Sequence, residues 1–140
     1  MMNKNQITDA IAIEFKKIAA DNFLLWQNAL LSGSAEQVAE LYTETATFLP
    51  TVSAEYKKGK NGATSYFRHF LEKNPSGSVV LDEVQVINKQ NYVHSGFYNF
   101  EVGPPDNRKV LEARFTFVWG LNEYDEWKIL HHHSSLKPTI

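Results

Sequence analysis

The chain closes its last structured stretch with Trp127-Lys128-Ile129-Leu130-His131-His132-His133-Ser134-Ser135, a few residues before Pro138. Strict alternation along a strand places Trp127, Ile129, His131, His133 and Ser135 on one face and Leu130 with His132 on the other. Two imidazoles are thus expected side by side behind an apolar anchor. A purification tag does not suit three histidines that continue a hydrophobic strand and are followed by seven ordinary residues. A metal pair would need a third ligand from elsewhere, and the chain has no Cys and no His-x-x-x-His or Asp/Glu cluster, so no metal is expected. The favoured reading is a pair of histidines lining a pocket; the alternative is buried histidines held by hydrogen bonds.

Three further strands are expected upstream, over about 79–88, 92–102 and 109–121, separated by Asn88-Lys89-Gln90-Asn91, Gly103-Pro104-Pro105-Asp106-Asn107 and, before the last strand, Asn122-Glu123-Tyr124-Asp125. Short connections between long neighbours predict an antiparallel meander. Leu111, Ala113, Phe115, Phe117 and Trp119 share one face. Tyr92, Tyr98 and Phe100 form a comparable row, backed by Val93 and Phe97, so both sheet faces carry apolar side chains. Ahead of the meander lie a long helix capped by Thr8 and stopped by Gly33, a second helix from Ser34 with Val38, Leu41 and Tyr42 inside, short strands at 45–49 and 55–58, and a third helix over about 62–73. Helices first and a long sheet afterwards predict an α+β fold, one domain over residues 1–140, with the helices on one sheet face and a second copy of the chain on the other.

Composition narrows the function classes. With 43% hydrophobic and 13% aromatic residues, the chain can build a packed core. A formal net charge of −2 and scattered lysines argue against nucleic acid as a partner. The N-terminus has no apolar signal-like run, and the stretch 23–31 is too short to span a bilayer, so no membrane partner and a cytoplasmic location are expected. Without Cys, the available chemistry is that of His, carboxylate, Tyr and Arg.

Trp26 with Ala29-Leu30 and Gly33, Leu41-Tyr42, Phe48-Leu49-Pro50-Thr51, Lys58-Gly59, Tyr66-Phe67 and Phe70-Leu71 occur in order through the first half. They are followed by Ser95-Gly96-Phe97-Tyr98-Asn99-Phe100, Ala113-Arg114-Phe115-Thr116-Phe117-Val118-Trp119 and the histidine strand. In this joint order the chain resembles the nuclear transport factor 2-like superfamily, which also holds polyketide cyclase-like proteins. More narrowly, it resembles the association (hub) domain of calcium/calmodulin-dependent protein kinase II and its stand-alone bacterial relatives. The resemblance implies a cone in which helices and a curved antiparallel sheet enclose a pocket. It matches Arg114 to a pocket arginine, His131 and His133 to two histidine positions of the final strand, and Tyr42 and Trp26 to aromatic positions on the first two helices. It brings no kinase activity, because the chain lacks a Gly-rich phosphate loop and a His-Arg-Asp loop.

Three functions follow in order of preference. The first is an oligomeric binding module holding a small organic anion, a carboxylate, through Arg114 with His131 or His133, framed by Tyr42 and Trp26 and needing no cofactor. The second is a pure assembly domain. The third is a His-dependent isomerase, cyclase or dehydratase with His133 as base and Arg114 as oxyanion stabiliser. Asp82, Glu101 and Asp125 read as surface or turn residues, leaving no carboxylate to orient that base, which weighs against an enzyme.

Overall fold

The computed structural model describes residues Met1–Ile140. Helix α1 runs over Lys4–Leu31, 28 residues. Its cap is Asn3 rather than Thr8: the Asn3 side chain accepts from Gln6 N while the Gln6 side chain accepts from Asn3 N, a reciprocal box that starts the helix earlier. Thr8 instead donates to Lys4 O inside the helix. Phe15, Ala19, Asn22, Phe23, Trp26, Ala29 and Leu30 recur at three- and four-residue steps and are buried. Ser34 caps the short α2, Ala35–Ala39, by accepting from Gln37 N. Tyr42 opens strand β1 (Tyr42–Leu49) instead of closing the helix, so it faces the core from the sheet.

Strand β2 is only Lys57–Lys58, and α3 (Gly59–Phe70) follows at once, extended by a 3-10 turn over Leu71–Lys73. Strands β3 (Ser76–Asn88), β4 (Asn91–Val102), β5 (Lys109–Leu121) and β6 (Trp127–Leu136) form the expected antiparallel meander. Strand β1 then pairs parallel with β6, giving one six-stranded sheet in the order β2-β1-β6-β5-β4-β3. The sheet carries irregular registers: β3 bulges between Val79 and Leu81, opposite Tyr98 and Phe97, and at the adjoining Gly96 a Cβ would collide with Leu81 O.

A second irregularity decides the histidines. Strand β5 pairs Trp119 with Ile129 and Val118 with His131, so Leu130 is an extra residue on β6 and the alternation restarts after it. Ile129, His132 and Ser134 therefore face the core, while His131, His133 and Ser135 face outward. The expected grouping of Ile129 with His131 and His133 is corrected by this one-residue bulge.

The core lies between α1, α3 and the inner face of the sheet. Trp26, Tyr42, Phe48, Phe67, Tyr98, Phe117 and Trp119 are all at most 1% exposed. Trp26 meets Phe67, Phe117 and His132 edge-on and stacks with Tyr98, so one ring joins helix and sheet. No helix is long and apolar enough to cross a membrane.

Candidate functional site: a polar row at the floor of the cone

His132 stands at the centre of the inner face. Its ring stacks between Phe117 (4.0 Å between centroids) and Phe48 (4.8 Å). Both nitrogens are engaged: Nδ1 lies 2.8 Å from the Tyr42 hydroxyl and Nε2 lies 3.2 Å from the Tyr98 hydroxyl. Trp26 Nε1–H donates to the Tyr42 hydroxyl at 3.2 Å. On the other side Tyr98 donates to Ser134, and Ser134 shares a hydrogen bond with Thr51. A row of six polar side chains thus crosses an aromatic interior with its hydrogen-bonding groups satisfied by one another.

Burial, followed by the neighbouring His131 and His133, holds the His132 pKa well below its ordinary value of 6.5. Burial likewise raises the Tyr42, Tyr66 and Tyr98 phenols above their ordinary value of 10.0. The floor is electrically neutral at physiological pH, and His132 is enclosed as a structural hydrogen-bonding group.

The row ends at an opening. Thr51, Ser134, Tyr66, Tyr98 and Phe70 border a slot of about 10 Å³. Thr51, Tyr66 and Phe70 also border a vestibule of about 220 Å³ that continues outward past Lys57, His69 and Lys73. Tyr66 donates to Thr51 O at 2.9 Å, which ties α3 to the chain just after β1 and sets the width of the passage. Lys57 is paired with Glu55 at 2.8 Å, while Lys73 has no carboxylate within ion-pair distance.

The residues expected at the site divide between the two sheet faces. Trp26 and Tyr42 lie at the inner floor, with Tyr42 supplied by β1. Arg114 and His133 lie together on the outer face, where with Thr116 and Ser135 they border an open groove of about 190 Å³. His131 is also on that face, half-buried, its Nδ1 2.6 Å from the Thr47 hydroxyl and its pKa lowered by burial and then by His133. The expected convergence of Arg114 with His131 or His133 on an internal cavity is not what the strands build, because Arg114 alternates with the inward-facing Ala113 and Phe115 and the Leu130 bulge turns both histidines outward.

Sequence reading missed His132, Ser134 and Thr51, since no alternation pattern marks a bulge and Thr51 follows a strand-ending proline. It also missed a second buried imidazole: His94 Nε2–H donates to Asp82 Oδ2 at 2.8 Å, so Asp82, exposed as expected, orients a histidine other than His133. The His94 Nδ1 has no partner.

A cone of this kind, with its helices on one face of a curved six-stranded sheet, is the nuclear transport factor 2-like fold. Residues 18–138 match the calcium/calmodulin dependent protein kinase II association domain, and the chain belongs to that family. A crystal structure from Xanthomonas campestris, described as such an association domain, shares 33% identity over 89% of this chain and 88% of its own, with a TM-score of 0.83. A nuclear transport factor 2-like protein with a cystatin-like fold from Novosphingobium aromaticivorans aligns over 100% of this chain and 94% of its own at 12% identity and a TM-score of 0.77. A protein from Streptomyces avermitilis described as a dehydratase of the nuclear transport factor 2-like family aligns over 94% and 98% at 14% identity and a TM-score of 0.73. Among curated proteins no sequence match is found.

Proposed function

We propose that the chain is a self-associating domain that binds a small organic anion in the vestibule of its cone. The observation that carries this reading is the vestibule itself, an opening of about 220 Å³ with the unpaired Lys73 and the Lys57–Glu55 pair on its wall and a neutral polar floor behind it. Lysine at the mouth attracts a carboxylate, and Tyr66 and Phe70 on the vestibule wall offer an apolar body a surface. Trp26 and Tyr42 serve this site by holding the floor in place. Arg114, His133 and His131 belong instead to the outer face, where half-buried Val93, Phe97 and Val118 offer apolar surface to a second copy. With His133 outside the cone, the His-dependent reaction has no support from that residue.

Calorimetric titration with small carboxylic acids tests the reading. Binding is expected, and a combined Lys57→Met and Lys73→Met variant is expected to weaken it about tenfold or more, while Arg114→Met leaves it unchanged. The opposite pattern, with affinity lost in Arg114→Met and kept in the lysine variant, moves the site to the outer face and overturns the proposal. Light scattering that gives the 16.0 kDa monomer mass at micromolar concentration overturns self-association.

A further inference from the structure

The outer face of the sheet carries a cationic groove that the vestibule does not share. Strand pairing sets its geometry: Thr116 on β5 lies directly opposite His133 on β6, and Arg114 opposite Ser135, so four polar side chains form two adjacent rows on one face. They border the open groove of about 190 Å³. On the β4 side Arg114 is opposite Phe97, and the Lys137 ammonium lies over that ring, 5.0 Å from its centre. Lys137 is held there past the end of β6 by its backbone N–H, which donates to Glu112 O at 3.0 Å. A guanidinium and an ammonium thus stand beside the same phenyl ring.

Neither cation has a carboxylate within ion-pair distance. Whereas His131, His132 and Ser134 of β6 are engaged by Thr47, Tyr42 and Tyr98, the four groove side chains keep their hydrogen-bonding groups free. Unpaired cations weigh further on a face that receives a second copy, because burial without a counter-charge is costly. A carboxylate would fill the guanidinium fork with its two coplanar oxygens and leave Thr116, Ser135 and His133 idle. A phosphate group brings a second charge for Lys137 and enough tetrahedrally directed oxygens to accept from both rows at once. We infer that the groove is a second anion site, specific for a phosphate group, free or carried by a small monoester. Arg114 supplies the fork, Lys137 the second charge, and Thr116, Ser135 and His133 the remaining donors.

Nitrogen-15 NMR titration with inorganic phosphate, phenyl phosphate and acetate, at about pH 7.5 and constant ionic strength, tests it. Saturable shifts are expected at the amides of Arg114, Thr116, His133 and Ser135, with phosphate or its ester bound about tenfold or more tighter than acetate there. Tighter binding of the ester assigns the site to an esterified phosphate, and equal or weaker binding assigns it to the free ion. Arg114→Met should weaken phosphate about tenfold or more, Arg114→Lys less because it keeps the charge and loses the fork, and Lys73→Met not at all. Lys137→Met, at an exposed end of the chain and outside the sheet, should weaken it about threefold. Phosphate no tighter than acetate, unchanged affinity in Arg114→Met, or shifts that spread over the surface without saturating overturn the inference and leave the vestibule reading standing. Phosphate binding lost in Lys73→Met and kept in Arg114→Met assigns the anion to the vestibule and overturns it as well.

Discussion

The two faces of one sheet treat similar side chains in opposite ways. On the inner face Tyr42, His132, Tyr98, Ser134 and Thr51 are at most 5% exposed, and each is paired with the next. On the outer face Arg114 and His133 are solvent-exposed beside Thr116 and Ser135 in an open groove. His132 and His133 are neighbours in the chain, yet one is a neutral spacer in an aromatic cage and the other is free to meet a partner. Residue type therefore says little here about role. What counts is the face and, on the buried face, whether the neighbours complete the hydrogen bonding.

The widest separation of the two faces should appear in unfolding experiments. Trp26→Ala removes the ring that joins α1 to Tyr98, Phe117 and His132 and is expected to cost about 3–5 kcal/mol in urea denaturation. Arg114→Ala on the outer face should stay within about 0.5 kcal/mol for the monomer. Similar losses at the two positions would break the comparison. Tyr42→Phe is a milder probe, since it keeps the ring and deletes the hydroxyl that links Trp26 to His132. A loss of about 1–3 kcal/mol is expected because two buried groups lose their partner; a neutral result would mean that the row is not needed for stability.

Acid should sharpen the contrast further. The folded His132 pKa is depressed, so the unfolded chain takes up its proton first as the pH falls. The stabilisation from neutral His132 is complete above about pH 6.5 and is lost progressively below it, at up to about 1.4 kcal/mol per pH unit for one proton, until the folded group also titrates. His131, shifted in the same direction but half-exposed, adds a smaller part over the same window. Urea midpoints at pH 7.5 and 5 should differ, and His132→Phe should flatten the difference.

Much of this molecule could be read from its residues. The long first helix follows from the spacing of Phe15, Ala19, Phe23, Trp26 and Leu30, and the meander from four apolar runs with short polar connections. The inward row Ala113, Phe115, Phe117 and Trp119 lies on the face that alternation gives it. Those signals are local and periodic, so a single chain carries them in full. The site was less legible because it depends on contacts between residues far apart: Thr51 with Ser134, Tyr42 with His132, and Trp26 with Tyr42.

Amino-acid order by itself determined the α+β layout, the aromatic core and the presence of a histidine strand at its end. Tertiary structure alone decided which histidine the core receives. An extra residue at Leu130 shifts the pairing of β6 with β5, and because side chains alternate with a period of two, that one-residue shift exchanges the two faces for every residue after it. Whether Leu130 is accommodated as a bulge is settled by the fit of Ile129 against Trp119 and of His132 between Phe48 and Phe117, contacts made by β1 and β5 and absent from the strand's own sequence.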